Sequence, residues 1–284
     1  MLEIVDTHQH LWDLSRHRHS WCAGIAALNR SFLPVDYAAA AGELPGDAKI
    51  VQAIFVECDA EPADQAKEAA WVCQIASQPG SVTAGVVAGG RPELEGFEQH
   101  LDRIAHPSLR GLRRVLHVVP DEVSQSERFA AHVRALGPRG LSFDLCVLAR
   151  QLPVALSLVR RCPQTTFVLD HCGVPDVKGK VLDPWREQIR ELAREPNVAA
   201  CKVSGLVAYA DPTHWGPADL RPYVDHVAQC FGPERLMFGG DWPVCTLTCS
   251  LARWVRVAME LTAAWSPEDR RKLFSANARR VYRV

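Results

Sequence analysis

The 284-residue sequence has no excess of charge of either sign: 32 Lys and Arg oppose 33 Asp and Glu, for a formal net charge of −1. A chain so balanced has no field of one sign to gather nucleic acid or an anionic membrane, and neither is expected as a partner. No apolar run approaches the roughly 18 to 20 residues of a membrane helix. The opening, MLEIVDTHQH, also lacks the basic segment and apolar core of an export signal. There is no C-x-x-C pair, and the tightest cysteine pair, Cys245 and Cys249, has no second pair to complete a zinc knuckle. Most of the ten cysteines lie in apolar stretches such as Phe55-Val56-Glu57-Cys58, so they read as small core residues, reduced, in a cytosolic protein. Neither G-x-G-x-x-G nor a P-loop occurs, which removes the commonest dinucleotide and phosphate cradles. With 48% hydrophobic and 23% charged residues, the composition is that of a folded globular chain.

What is present is a repeat. Apolar, β-rich runs begin at Ile4, Ile50, Val82, Leu109, Gly140, Thr166, Asn197 and Arg235, at intervals of 26 to 46 residues, with helical periodicity between several of them. Asp183-Pro184 offers an N-cap and first-turn proline to a helix with Trp185, Ile189, Leu192 and Ala193 on one face. Asp219 begins another, with Val224, Val227 and Phe231 as its apolar face and Gly232-Pro233 as its stop. Ser266-Pro267-Glu268-Asp269 has the form of a capping box. Strands alternating with helices imply a parallel sheet, and eight units imply closure, so the fold expected is a distorted (β/α)8 TIM barrel. It spans residues 1–284 as one domain. The segment Leu11 to Lys49, with Trp12, Trp21, Phe32 and Pro34, exceeds an ordinary loop and is expected to cap the barrel mouth.

In such a barrel, catalytic groups sit at the C-terminal ends of the strands. Strand one ends Asp6-Thr7-His8-Gln9-His10, where alternation predicts that Asp6, His8 and His10 share a face. Strand six ends Leu169-Asp170-His171, and strand eight ends Gly239-Gly240-Asp241-Trp242-Pro243. A pair of hydrogen-bonded histidines, or an Asp capping a helix, is the bland explanation of each motif alone. Together, three imidazoles and a carboxylate suit either a divalent metal or a carboxylate base beside hydrogen-bond donors. The run Arg16-His17-Arg18-His19 reads as a solvated face of alternating cations, outside the site.

These stretches resemble the amidohydrolase superfamily, and within it a group of sugar lactonases. Asn29-Arg30-Ser31-Phe32-Leu33-Pro34, Arg110-Gly111-Leu112-Arg113, Lys202-Val203-Ser204-Gly205 and Asn277-Ala278-Arg279-Arg280-Val281-Tyr282 extend the resemblance over nearly the whole chain. It implies a hydrolase in which Asp241 activates water against a lactone carbonyl while His8, His10 and His171 stabilise the oxyanion. Two versions follow from it. In one, a divalent ion, zinc by preference, is held by His8, His10 and Asp241; in the other the histidines act as hydrogen-bond donors with no metal. Superfamily members with a firmly held metal usually add a histidine or modified lysine from strand four or five, where this chain has His117 and Asp144.

Other polar residues near strand ends are candidates for the substrate: Glu57, Arg113, His117, Asp144, Lys202 and Ser204, with Trp12 and Trp242 offering ring faces to a sugar. For each the alternative is a structural ion pair or core packing. The expected partner is a small sugar lactone, such as one derived from fucose, rhamnose or galactose. Two rivals remain at this stage: a metal-dependent decarboxylase of the same superfamily, against which Asp144 counts, and a noncatalytic sugar-binding barrel, which has no need of a buried base.

Overall fold

The computed structural model describes all 284 residues. Eight strands lie parallel in sequential order: β1 (Leu2–Gln9), β2 (Ala48–Val56), β3 (Thr83–Gly89), β4 (Leu109–Val115), β5 (Ser142–Cys146), β6 (Thr166–Leu169), β7 (Val198–Val203) and β8 (Leu236–Phe238). Each has an expected counterpart, although β8 is only three residues long and β4 stops before His117. Helices return the chain between strands, and the sheet curls into a nearly closed TIM-like barrel. No helix is long and apolar enough to cross a membrane.

The seam between β8 and β1 has no regular ladder. It is stitched at the C-terminal ends of the strands: the Asp241 N–H donates to the His8 carbonyl and the His10 N–H to the Trp242 carbonyl, both at 2.8 Å. Below them, Thr7 Oγ1 donates to the Phe238 carbonyl at 2.8 Å.

Apolar burial is divided unequally. A continuous core of 70 residues fills the space between strands and helices, whereas Val5, Ile54, Val56, Val87, Val168, Ala200, Met237, Ala278 and Tyr282 form a separate cluster of nine inside the barrel. The small inner cluster occupies the N-terminal end and leaves the interior above it to polar groups. Tyr282 reaches it from the closing helix Asn277–Tyr282, anchored by Asn277 Nδ2, which donates to the carbonyls of Pro233 and Leu236.

Strand one corrects the expected alternation. The β1–β2 register slips between Asp6 and Gln9. Val5 faces inward, but Asp6 turns outward to accept from the Tyr37 hydroxyl at 2.7 Å and the Gly240 N–H at 2.6 Å. The slip returns His8 to the interior, so Asp6 does not share its face.

Helix starts differ by a residue or two from the sequence reading. Trp185–Ala193 follows Pro184 rather than Asp183. Pro217–Phe231 starts two residues before Asp219, which instead accepts from the Gly216 N–H as a third-turn-position cap. Ser266 caps as expected, its hydroxyl accepting from the Asp269 N–H at 3.0 Å. The segment after β1 is structured, with a short turn at Ser20–Gly24, the helix Pro34–Gly42, and Trp12 bridged to Phe32.

Candidate active site

The interior above the inner core is an ionic frame. Lys202, at the end of β7, is fully buried, with Nζ 2.6 Å from Asp144 Oδ2 and 2.9 Å from Asp170 Oδ1. Arg113, at the end of β4, donates from Nε to Glu57 Oε1 at 2.7 Å, from Nη2 to the Glu57 carbonyl, and from Nη1 to Asp170 Oδ2 at 3.2 Å. The Tyr282 hydroxyl donates to Asp144 Oδ2 from below at 2.8 Å. Burial opposes ionisation of both aspartates, with different outcomes. At Asp170, Lys202, His8 and Arg113 outweigh burial and hold the carboxyl well below its usual range. At Asp144, burial prevails over Lys202 and the pKa is raised.

His8 rests on this frame. Burial drives its pKa well below that of a free imidazole despite the pull of Asp170, so it is neutral. Nε2 accepts from Arg113 Nη1 at 3.2 Å, and Nδ1 lies 3.3 Å from Lys202 Nζ and 3.5 Å from Asp170 Oδ1.

Above the frame opens a cavity of about 210 Å³. Asp241, His10, His171, His117 and Arg113 contribute polar groups, and Trp21, Val115, Val118, Tyr209 and Val244 contribute apolar walls. The strand ends that carry the polar groups are bent sharply: Asp241 has φ +53° and His171 φ +52°, in the left-handed region where non-glycine residues are uncommon. Gly205 lets His171 come close. A Cβ there would lie 2.4 Å from His171 Nδ1, the atom that sits 2.9 Å from Ser204 Oγ. Burial lowers the His171 pKa, leaving a neutral ring with Nε2 available to the cavity.

His10 and Asp241 form the most informative pair. His10 Nδ1 lies 2.8 Å from the Val56 carbonyl, which can only accept. That bond puts the proton on Nδ1 and leaves the Nε2 lone pair facing Asp241 Oδ1 at 3.4 Å. Two acceptors held face to face call for a cation or proton between them. A tetrahedral ion with bonds of about 2.0 to 2.1 Å separates its ligands by roughly 3.4 Å, and His8 Nε2, 3.9 Å from the same oxygen, is the third donor. The residues therefore fit a zinc-class cation, to which His8 Nε2 would give its lone pair in place of the hydrogen bond it accepts from Arg113.

The structure sorts the residues expected from sequence. His10, His171, Asp241, Arg113 and His117 reach the cavity. His117 does so from a short turn, Leu116–Val118, beyond β4, so period-two spacing is not what pairs it with Arg113. His8, Glu57, Asp144, Lys202 and Ser204 lie beneath or behind the surface as parts of the frame. Trp12 and Trp242 are not in the wall. Trp12 is fully buried with Nε1 donating to the Arg30 carbonyl, and Trp242 packs edge-on against Phe32 and Tyr37. The run 16–19 is a further correction: Arg16 and Arg18 are exposed, but His17 and His19 are buried.

Sequence reasoning missed Asp170, Asp59 and Tyr209, while Trp21, from the segment expected over the barrel mouth, lines the cavity. Asp170 was detectable as an acid among the apolar residues of Phe167-Val168-Leu169. Tyr209 lies in an irregular segment after β7 where no periodicity marks it. Cys58 and Cys146 also border the cavity. Burial pushes the Cys58 thiol well above its usual pKa and the Cys146 thiol up to about 12. Neither is a thiolate near neutrality, which removes a cysteine nucleophile.

A family model described as amidohydrolase matches residues 5–284. The L-fucono-1,5-lactonase of Burkholderia multivorans is 31% identical over 303 residues, covering 98% of this chain and 95% of its own. That of Burkholderia ambifaria is 28% identical, covering 99% and 95%. Among solved structures, an amidohydrolase from Burkholderia multivorans with bound zinc superposes with a TM-score of 0.89 at 29% identity, over the full length of both chains.

Proposed function

Because this chain belongs to the amidohydrolase family, we propose that it opens the ring of a sugar lactone by attack of water that Asp241 activates. One observation carries the reading: the only carboxylate at the cavity floor without a cationic side chain neutralising it is Asp241, and it stands among imidazoles instead of Lys or Arg. The full-length similarity to two proteins named L-fucono-1,5-lactonase supports the substrate class.

In this mechanism Asp241 takes a proton from water as the oxygen attacks the lactone carbonyl. His171 and Arg113, both at the cavity surface, point donors toward the oxygen that gains charge; the Ser204 hydroxyl on Nδ1 of His171 leaves Nε2–H for that purpose. Asp241 then returns its proton to the ring oxygen as the C–O bond breaks, giving the open hydroxy acid with no covalent intermediate. Trp21, Val115, Val118 and Val244 exclude bulk water and offer apolar contact to the carbon face of the ring. A zinc-class ion held by His8, His10 and Asp241 would add Lewis acidity at the carbonyl.

The test is proton release from a panel of sugar 1,4- and 1,5-lactones, with and without chelator, using the wild type and Asp241→Asn. Turnover should fall by about 10²- to 10⁴-fold in the variant, the range that general bases contribute. Silence of the wild type across the panel, or an unimpaired Asp241→Asn enzyme, would overturn the proposal.

A further inference from the structure

The buried half of the 16–19 run leads to a second constellation. His19 turns inward to meet the helix Gln65–Ala76 and the end of β2, with Nε2 3.0 Å from Glu68 Oε1. The Cys58 thiol completes a trio whose ligand atoms all lie within 4.8 Å of one another. All three residues are buried, at 4%, 0% and 3% exposure for His19, Glu68 and Cys58.

One observation distinguishes this trio from ordinary packing. Glu68 Oε2 is buried with no hydrogen-bond partner, an arrangement that costs about 1 to 3 kcal/mol where nothing fills it. The Cys58 thiol donates to the Leu11 carbonyl at 3.4 Å, with the Val56 carbonyl at 3.7 Å, and lies 3.7 Å from His10 Nδ1.

We propose that His19, Cys58 and Glu68 form a second cation site, for a zinc-class divalent ion, separate from the set of His8, His10 and Asp241. Imidazole nitrogen, thiolate sulfur and carboxylate oxygen are the zinc donors. The orientation of His19 suits ligation, because its Nδ1 faces the His17 carbonyl at 3.3 Å. That acceptor holds a proton on Nδ1 and leaves Nε2 as the ligand. The charge also balances. In the metal-free protein one proton lies between His19 Nε2 and Glu68 Oε1 and another on the thiol; a divalent ion displaces both to solvent, so the net charge of the buried group is unchanged. Of the three, Cys58 borders the cavity, and in this proposal the ion enters from that side and keeps its fourth position for water. The site adjoins the first across one ring, His10, whose Nε2 faces Asp241 and whose Nδ1 edge faces Cys58.

Cobalt distinguishes the two sites, because only the second contains sulfur. The full chain, stripped by chelator and titrated with Co²⁺, should develop a thiolate-to-cobalt charge-transfer band in the near ultraviolet whose final intensity corresponds to one thiolate-bound cobalt per chain. Asp241→Asn should keep the band. Cys58→Ala should abolish it, and Glu68→Gln, which preserves shape, should weaken the associated affinity by more than the roughly 10- to 100-fold lost with an outer-shell partner. Circular dichroism of each variant verifies folding. Wild-type protein that binds cobalt with no thiolate band, or binds none, overturns the proposal, as does a band that persists in Cys58→Ala. Lactone turnover measured on the same samples reports on Asp241 chemistry independently, so either reading can fail alone.

Discussion

Replacing Lys202 with Met removes the cation between two buried carboxylates while keeping most of the length of the side chain. Its Nζ lies 2.6 Å from Asp144 and 2.9 Å from Asp170, with all three side chains fully buried. Asp170 keeps Arg113 at 3.2 Å, but Asp144 retains only the hydroxyls of Tyr282 and Ser142. Breaking a buried ion pair by removing one partner costs about 3 to 5 kcal/mol. With an unfolding entropy of about 2.1 cal/mol/K per residue, a chain of 284 residues should lose about 5 to 8 °C in Tm. The loss should depend on pH. Without Lys202 the Asp144 pKa, already raised by burial, rises further. A carboxyl whose folded pKa lies above its unfolded value makes stability fall as pH climbs through that interval. The variant's deficit should therefore be larger at pH 8 than at pH 5, because acid favours the protonated Asp144. Urea unfolding of wild type, Lys202→Met and Lys202→Met with Asp144→Leu at both pH values provides the test. The double variant should recover part of the deficit. A deficit below about 1 kcal/mol, or one equal at both pH values, would refute the account of the frame as an electrostatic unit.

Gly205→Ala, whose added carbon would meet His171 Nδ1 at 2.4 Å, should lower kcat about 10- to 100-fold with a smaller effect on KM, while Gly24→Ala, with open space around it, should leave steady-state kinetics unchanged. Burial and the nearby Arg113 push the His117 pKa down to about 4. A histidine depressed on folding contributes stability that is present above its unfolded pKa of about 6.5 and is lost as pH falls from there to about 4. The slope of urea-derived stability against pH in that window should be shallower in His117→Asn by up to about 1.4 kcal/mol per pH unit, and equal slopes would contradict the assignment. Tyr282→Phe, which deletes the donor to Asp144, should cost about 0.5 to 1.5 kcal/mol in the same unfolding assay without changing the denaturant slope.

Much of the architecture could be read from the chain because repetition is robust to local error. Eight apolar runs survive a misplaced boundary, and the faces of Trp185–Ala193 and Pro217–Phe231 were legible although their starts were not. The strand-end motifs also brought His10, His171 and Asp241 to one cavity. What could not be read depends on depth and on departures from period two. Asp6 and His8 are separated by a register slip that no residue announces. Lys202, Asp144 and Glu57 are charged residues at strand ends, which from sequence look like substrate contacts, yet the strands place them below the floor, where each satisfies another. Alternating cations at 16–19 conceal a backbone turn that buries both histidines and exposes both arginines. Trp12 and Trp242 flank the right strands, but their rings pack behind them.

The β1–β8 seam joins residues 232 and 233 positions apart through the backbone of His8, His10, Asp241 and Trp242 themselves. During synthesis His8 and His10 leave the ribosome long before Asp241 exists, and the sheet must wait with an open edge until the last unit arrives. Ring closure and assembly of the reactive constellation are then one event. A chain whose seam parts under mild denaturant should forfeit turnover while seven strand pairings still hold, so activity serves as a more sensitive reporter of early opening than any spectroscopic measure of the barrel as a whole.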